Sequence, residues 1–159
     1  MHLPKTRDTR ALNDFLLERA KSPFIWGVRD CCLFAADAIF KMTGTDIADD
    51  FRGEYHDEKS AFALIKRVTG GETVADAAAY CAEKFGLPEW DHPMKAQRGD
   101  LAVIENGGRL IAGVVHLNGR HVVSINESGL VRLPISKIKR AWRVSEAFPG
   151  LASPTQPSK

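Results

Sequence analysis

The chain has 159 residues, of which 44% are hydrophobic and 26% are charged, and its formal net charge is +2. These values are typical of one soluble globular domain with a buried core. The small net charge gives no reason to expect binding to nucleic acid or to a membrane surface. No stretch approaches the ~20 apolar residues of a membrane span. The first residues lack the apolar segment of a signal peptide, so we expect no export on a Sec signal.

The first half of the chain has the spacing of apolar residues that predicts helices. Asp8 or Thr9 can cap the first helix, and Gly44 suits the end of the second. The second helix is apolar almost all round, which indicates a buried central helix. The four predicted helices span residues 9–20, 30–44, 57–68 and 72–85.

After Gly99 and Asp100 the pattern changes to short apolar strands that are separated by turns. The sequences 106–108 and 118–119 are typical of β-hairpin turns. Helices followed by an antiparallel meander predict an α+β fold. The predicted strands span residues 101–104, 110–117, 121–125, 130–133 and 141–144.

We expect one domain over residues 1–148, which begins with an N-terminal arm at residues 1–8. Residues 149–159 form a proline-rich C-terminal tail. Its composition is typical of a segment that is flexible alone, and a partner in an assembly would hold it in place.

The chain has three cysteines, and two of them, Cys31 and Cys32, are adjacent. Neighbouring residues form a disulfide only with strain, and Cys81 lies in a helix-like setting. Reduced thiols in a cytosolic product fit this pattern best. There is no Cys-x-x-Cys pair and no histidine pair at ligand spacing, so we expect no metal and no other cofactor.

Cys31 is the strongest candidate for chemistry. A loop with Trp26 and Gly27 leads to Asp30, and Cys31 follows at the predicted start of a helix. The helix dipole and the unpaired N–H groups there lower the pKa of a thiol, as a thiolate nucleophile requires. Asp30 is most simply the N-cap, which stabilises a helix by ~0.5–2 kcal/mol.

Several short motifs between residues 24 and 144 occur together. They are Trp26-Gly27-x-x-Asp30-Cys31-Cys32-Leu33-Phe34, Phe51-Arg52-Gly53-x-Tyr55, Ala96-Gln97-Arg98-Gly99-Asp100, Gly129-Leu130 and Arg140-Ala141-Trp142-Arg143. The combination resembles the NlpC-type branch of the papain-like cysteine peptidases, and most closely small phage and prophage tail-module proteins with that fold. The resemblance implies a papain-like fold, a nucleophile at Cys31 and a protein encoded beside the tail tip of a long-tailed phage.

A cysteine peptidase also needs an imidazole base and a polar group that orients it. The resemblance places the histidine two residues before a glycine, which matches Gly113, so the expected position holds Ile111. The orienting group would fall near Val123. Both positions are apolar, and the direct transfer of the family's catalytic residues therefore fails for two of three groups.

Two histidines are candidate substitutes for the missing base. His116 lies on the same predicted strand as Ile111, but the odd offset of five places it on the opposite face. His121 begins the next strand, where Ser124 or Asn126 can orient an imidazole. For each histidine we favour a structural or solvated role over catalysis.

The other polar and aromatic candidates have simpler interpretations. We expect Cys32 and Cys81 in the core and Asp100 in a turn. Trp26 and Trp142 are interpreted as packing anchors. Four further side chains lie in predicted loops, the first two within reach of a partner and the last two without companion ligands: Arg52, Tyr55, His56 and His92.

The sequence favours a structural virion protein of the phage tail tip or baseplate, made in the host cytoplasm and bound to other tail proteins. The missing base, the absent signal peptide and the proline-rich tail favour this hypothesis. The alternative is an active endopeptidase whose partner is peptidoglycan, with Cys31 attacking a stem-peptide bond and His121 or His116 as base. A third hypothesis is an assembly factor that leaves before the virion matures.

Overall fold

A computed structural model of the chain describes residues 8–144, in which four α-helices precede a five-stranded antiparallel sheet. The predicted α+β class is confirmed, and every predicted helix and strand forms within a few residues of its expected bounds. The helices are α1 Thr9–Arg19, α2 Cys31–Thr43, α3 Glu58–Thr69 and α4 Val74–Lys84. The strands are β1 Leu101–Asn106, β2 Arg109–Val115, β3 His121–Asn126, β4 Gly129–Pro134 and β5 Ile138–Trp142.

Two predicted terminal segments lie wholly or partly outside the described residues. Of the predicted arm at residues 1–8, only Asp8 is described, and the predicted tail at 149–159 lies outside the described residues. None of the four described helices is long and apolar enough to cross a membrane.

Short polar side chains begin each helix. Asp8 caps α1 by accepting hydrogen bonds from the N–H groups of Arg10 and Ala11, at 3.0 and 3.2 Å. Asp30, Asp57 and Thr73 cap the other three helices in the same way. These local hydrogen bonds satisfy N–H groups that have no partner within the helix, which is why the helix starts were predictable.

Helix α2 is the centre of the hydrophobic core, as its sequence predicted. It packs against α1 on one side and against β2 and β3 on the other. The rings of Phe34 on α2 and Phe15 on α1 are 5.3 Å apart. One residue departs from the expectation of burial all round, since Phe40 is 48% exposed.

The sheet has the order β4-β3-β2-β1-β5, so β5 returns to the free edge of β1. The register of β1 with β2 is continuous from Asn106↔Arg109 to Leu101↔Val114. In contrast, the described ladder between β2 and β3 consists of Val114↔Val123 and Val115↔Val122. The regular ladder between the two hairpins, β1–β2 and β3–β4, therefore stops at Val114 and leaves an opening in the ladder, although the Ser124 hydroxyl still bonds the carbonyl oxygen of Ala112 there.

Gly113 lies where β2 and β3 come closest before they separate. A Cβ atom built on Gly113 would collide with the carbonyl oxygen of Val123 and would press on the side chains of Val122 and Ser124. The close approach of the two backbones thus requires glycine at this position.

We predict that Gly113→Ala destabilises the protein by about 1–3 kcal/mol, because the new methyl group forces the two strands apart. Urea unfolding followed by circular dichroism measures this loss. Gly119→Asn is the matched control, since Gly119 lies in a hairpin turn with φ +71° and open space around its Cβ position, and asparagine tolerates that conformation. Equal stability of wild-type and Gly113→Ala proteins would contradict the packing argument.

Candidate active site

Cys31 is the first residue of α2 and lines a cavity of about 180 Å³ between the helices and the opening in the sheet. All three cysteines of the chain line this one cavity. Cys31 and Cys81 are buried, and Cys32 is half-buried. Cys81 is therefore in the core, as expected, but its position in the same cavity as the other two thiols was not predicted, because it depends on the packing of α4 against β1 and β2.

The carboxylate of Asp30 fixes the position of Cys31. Asp30 is 1% exposed and does more than cap α2. One carboxylate oxygen accepts the Leu33 N–H at 3.0 Å. The other accepts the Gly27 N–H at 2.9 Å and the Tyr55 hydroxyl at 2.5 Å. Asp30 thus joins the loop before α2, the first turn of α2 and the segment before α3.

Tyr55 is the half-buried partner of this carboxylate. Burial, and then the charge of Asp30, raise the pKa of the Tyr55 phenol far above its ordinary value, so the hydroxyl stays a donor. The backbone at Gly27 has φ +82°, and a Cβ there would collide with the carbonyl oxygen of Tyr55. Tyr55 therefore points inward, whereas the sequence suggested a loop side chain within reach of a partner.

The surroundings of Cys31 favour its thiolate. A hydrogen bond from the Cys32 thiol lowers the pKa of Cys31, and a backbone hydrogen bond with Ala112 adds to this effect. Burial and the charge of Asp30 act in the opposite direction, but the pKa of Cys31 is lowered overall. The same hydrogen bond, together with burial, raises the pKa of Cys32 well above its ordinary value. Burial, and then Asp49 and Asp50, raise the pKa of Cys81 to about 12.

His116 and His121 come together with each other at the turn between β2 and β3. The N–H of His116 donates to the carbonyl oxygen of His121 at 2.7 Å. Asn118 contacts both rings, because its N–H donates to Nδ1 of His116 and its side-chain nitrogen lies 3.0 Å from Nδ1 of His121. Nε2 of His116 lies 3.3 Å from a guanidinium nitrogen of Arg132. Burial, and then the charge of Arg132, lower the pKa of His116.

The structure does not bring either imidazole to the cavity. The backbone of Ala112 is hydrogen-bonded to Cys31, and Ala112 lies four residues before His116 along the chain. At ~3.3 Å per residue of strand, Ala112 and His116 are ~13 Å apart. The register of β2 with β1 shows no bulge between Arg109 and Val114 that would alter this spacing. Within residues 8–144, none of the four histidines lines the cavity.

The two positions that the sequence resemblance assigns to a base and its orienting group are apolar, and the polar side chains Ser124 and Asn126 are already bonded. Ile111 is buried and forms part of the cavity wall, and Val123 is buried and paired with Val114. The hydroxyl of Ser124 donates to the carbonyl oxygen of Ala112. The side-chain oxygen of Asn126 accepts the Ser128 N–H at 2.8 Å.

Several other candidates have structural partners. Asp100 is buried, and its carboxylate accepts hydrogen bonds from the indole of Trp90 and the N–H groups of Gln97 and Val144, at 2.8, 2.8 and 3.0 Å. It therefore ties the end of β5 to the start of β1, a larger role than the predicted turn.

The remaining aromatic and charged candidates lie outside the cavity or at its edge. Trp142 is buried as a packing anchor, while Trp26 packs edge-on against Phe24 on the cavity wall. Arg52 forms ion pairs with Asp37 and Asp46 at 2.8 Å.

His92 and His56 have local contacts. Nδ1 of His92 accepts the Met94 N–H at 3.1 Å, and Nε2 of His56 lies 3.5 Å from a carboxylate oxygen of Asp57. Among residues 8–144, no three His, Cys, Asp or Glu side chains are placed so that they could hold a metal ion.

Chemically, the cavity offers a thiol with a lowered pKa at a helix start, without an imidazole beside it. The N–H groups of the first turn of α2 can stabilise negative charge. A thiolate alone attacks reactive electrophiles, but cleavage of an amide also requires a group that returns a proton to the leaving amine. The described side chains around Cys31 supply no such histidine.

The chain belongs to the family described as a domain of unknown function, DUF6950, whose family model matches residues 5–144. No curated protein matches the chain in sequence. The family match covers both the helical half and the sheet, so the cavity with its three thiols lies entirely within the family domain.

We predict that Cys32→Ala raises the pKa of Cys31, because it removes the thiol that donates to the Cys31 sulfur. The rate of alkylation by iodoacetamide, measured against pH with identification of the modified cysteine by mass spectrometry, reports this pKa. The wild-type thiol reacts at a lower pH than an ordinary cysteine, and Cys32→Ala moves its profile to higher pH. Cys81→Ala is the control, and an unchanged profile in Cys32→Ala would contradict the assignment.

We predict that Tyr55→Phe destabilises the protein by about 1–3 kcal/mol, because a buried carboxylate oxygen of Asp30 loses a donor. Urea unfolding measures the change. Tyr80→Phe is the matched control, since the Tyr80 hydroxyl bonds Asp50 at the surface, where water replaces the lost donor. A loss no larger than that of the control would contradict the role given to Asp30 and Tyr55.

Proposed function

We propose that the chain is a structural component of the tail tip or baseplate of a long-tailed phage. In this proposal it uses a papain-like fold of the NlpC type to bind neighbouring tail proteins, and the hydrolytic site of that fold has been lost. The resemblance of its motifs to phage tail-module proteins supports the phage assignment. A cysteine that begins a helix packed on an antiparallel sheet supports the papain-like assignment.

The main support for this proposal is that the thiol of Cys31 is far from both candidate imidazoles. Cys31 faces Ile111 and Ala112, while His116 and His121 bond to each other at the far end of β2 and β3. A protein that cleaves peptide bonds with Cys31 would need one of these rings within hydrogen-bond reach. The buried apolar side chain of Ile111 fits an interaction module better than a peptidase.

Exposed apolar side chains support a role in binding. Ile25 and Val28 are 43% and 51% exposed, and they flank Trp26 in the loop that forms one wall of the cavity. Leu17 on α1 and Phe40 on α2 are 65% and 48% exposed. A contiguous apolar patch at the surface is typical of a contact with another protein, and Ile25, Trp26 and Val28 lie together in one loop.

One observation favours the alternative function, an active endopeptidase that cleaves peptidoglycan stem peptides. The lowered pKa of Cys31 at the start of α2 is what a thiolate nucleophile requires. In that case His121 or His116 would have to move to Cys31 when substrate binds. Purified sacculi incubated with the chain test this directly, and release of muropeptides that is lost in Cys31→Ala would support the peptidase.

We predict that a phage carrying Cys31→Ala assembles normally and keeps its infectivity, because the proposed role uses no thiol chemistry. Plaque titre and electron microscopy of purified particles measure both. Deletion of the whole gene is the control, and it should abolish normal tails.

Mass spectrometry of the purified particles should detect the chain as a virion component. Its absence from mature particles would favour an assembly factor. Normal particles with a large loss of infectivity in Cys31→Ala would overturn the structural proposal in favour of the peptidase.

A further inference from the structure

Two histidines and an arginine meet beside the turn between β2 and β3, away from the cavity of the three thiols. In the β3–β4 ladder, His121 is paired with Pro134 and Val123 is paired with Arg132. Side chains alternate along a strand and paired residues share a face, so His121 and Arg132 are diagonal neighbours on one face of the sheet. The guanidinium of Arg132 lies 3.3 Å from Nε2 of His116. These three residues form the histidine–arginine cluster.

Local hydrogen bonds determine which nitrogen of each neutral imidazole carries the proton. The Asn118 N–H donates to Nδ1 of His116 at 3.0 Å, so the proton of that ring is on Nε2. The side-chain oxygen of Asn118 accepts the Arg120 N–H at 2.7 Å, which leaves its nitrogen to donate to Nδ1 of His121 at 3.0 Å. The proton of His121 is therefore also on Nε2. Both histidines thus present an N–H donor.

His116 and Arg132 direct donors toward each other. Burial, and then the charge of Arg132, lower the pKa of His116 and so favour its neutral ring. A guanidinium stays protonated and has no acceptor atom, so neither group at this 3.3 Å contact can accept from the other. A proton on Nδ1 instead would only move the conflict to the backbone N–H of Asn118. An oxygen atom beside the pair would accept from both donors.

Further arginines lie next to the cluster. The Ile135 N–H donates to the carbonyl oxygen of Arg120 at 3.0 Å, which places Arg120 against the end of β4. The Gly99 N–H donates to the carbonyl oxygen of Val115 at 2.8 Å, and so brings the backbone of Arg98 beside the end of β2. Cations from three separate segments therefore approach the same end of the sheet.

Few negative charges balance these cations. The sequence has no acidic residue in 110–126 or in 128–144. Glu127, at the opposite end of β3, lies 3.9 Å from Arg109, and the buried carboxylate of Asp100 bonds other groups. Three exposed arginines take part in no ion pair within residues 8–144: Arg98, Arg120 and Arg132. The local excess of positive charge attracts an anion.

A phosphate group suits these donors better than a carboxylate does. A phosphate monoester has three terminal oxygens and a charge of about −1.5 to −2 at pH 7. A carboxylate has two oxygens and a single charge. The cluster offers two imidazole N–H groups and a guanidinium, which forms strong charge-assisted hydrogen bonds with phosphate oxygens.

We infer that the histidine–arginine cluster binds a phosphate group, either free phosphate or the phosphate of a monoester. One oxygen accepts from Nε2–H of His116 and from the guanidinium of Arg132, and a second oxygen accepts from Nε2–H of His121. This inference does not depend on the proposed role in a phage tail, because the cluster lies outside the cavity and its test uses the isolated chain.

Nuclear magnetic resonance of the imidazole Cε1–H groups in the isotope-labelled full chain tests the inference. Sodium phosphate replaces sodium chloride at constant pH and ionic strength, so that the screening of surface charges does not change. We expect the His116 and His121 signals to shift in a saturable way with a Kd of about 1 mM. The signals of His56 and His92, which lie in other loops, stay in place.

Substitutions separate the cluster from a general effect of charge. Arg132→Gln should weaken phosphate binding at least about tenfold, since it removes the guanidinium. Arg67→Gln is the matched control, because Arg67 is exposed on α3 and the same charge is lost, and it should bind phosphate like the wild type. His116→Ala should also weaken binding when it is followed at His121. His116→Gln keeps an N–H donor near the Nε2 position and should bind more tightly than His116→Ala.

Glycerol 3-phosphate distinguishes the two sources of the phosphate group. Shifts equal to those with inorganic phosphate support a phosphorylated molecule as the ligand, and shifts with inorganic phosphate alone support free phosphate. The inference is overturned if inorganic phosphate leaves both signals in place, or if Arg132→Gln binds it as tightly as Arg67→Gln. Equal saturable shifts with sodium acetate would also overturn it. The acetate comparison uses the wild-type chain, so it stays valid where a variant fails to fold.

Discussion

The buried carboxylate of Asp30 is the interaction on which the site depends. It accepts hydrogen bonds from the Gly27 and Leu33 N–H groups and from the Tyr55 hydroxyl, and so joins the start of α2 and the loop before it to a segment 25 residues further along the chain. A carboxylate that is removed from water is stable only when such donors surround it. Because Asp30 directly precedes Cys31, the same contacts that stabilise the charge also fix the thiol against β2.

The point at which the ladder between β2 and β3 ends decides which side chains lie near Cys31. β2 and β3 are paired near their shared turn, where the histidines lie, and separate where Cys31 meets Ala112. This geometry creates a cavity and at the same time keeps the imidazoles away from it. The result is a thiol with a lowered pKa in an apolar cavity that none of the described histidines lines.

Local features of the fold could be predicted from the sequence, and long-range features could not. Asp8, Asp30, Asp57 and Thr73 identify helix starts through hydrogen bonds within four residues. The sequence Asn106-Gly107-Gly108 identifies a hairpin turn by its conformational preference alone. The resemblance predicted that Ile111 occupies the position of the base, and that prediction stays untested, although Ile111 is buried in the cavity wall.

Three features of the site depend on contacts that no local pattern encodes. The Tyr55–Asp30 hydrogen bond spans 25 residues, and the position of Cys81 in the same cavity as Cys31 depends on how α4 packs. The separation of β2 from β3 was also missed, because both strands have ordinary strand sequences. Gly113, in the middle of β2, was the one available signal, since a glycine within a strand often marks a close backbone approach.

We propose that the face of the chain around Cys31 lies against a neighbouring protein in an assembled phage tail. The most direct measurement compares alkylation of Cys31 in the isolated chain and in purified particles, with a thiol reagent and mass spectrometry of the modified peptide. The account predicts that Cys31 reacts in the free chain and is protected in the particle. Equal reactivity in both states would contradict it, because a cavity open in the particle would have no protein occupant.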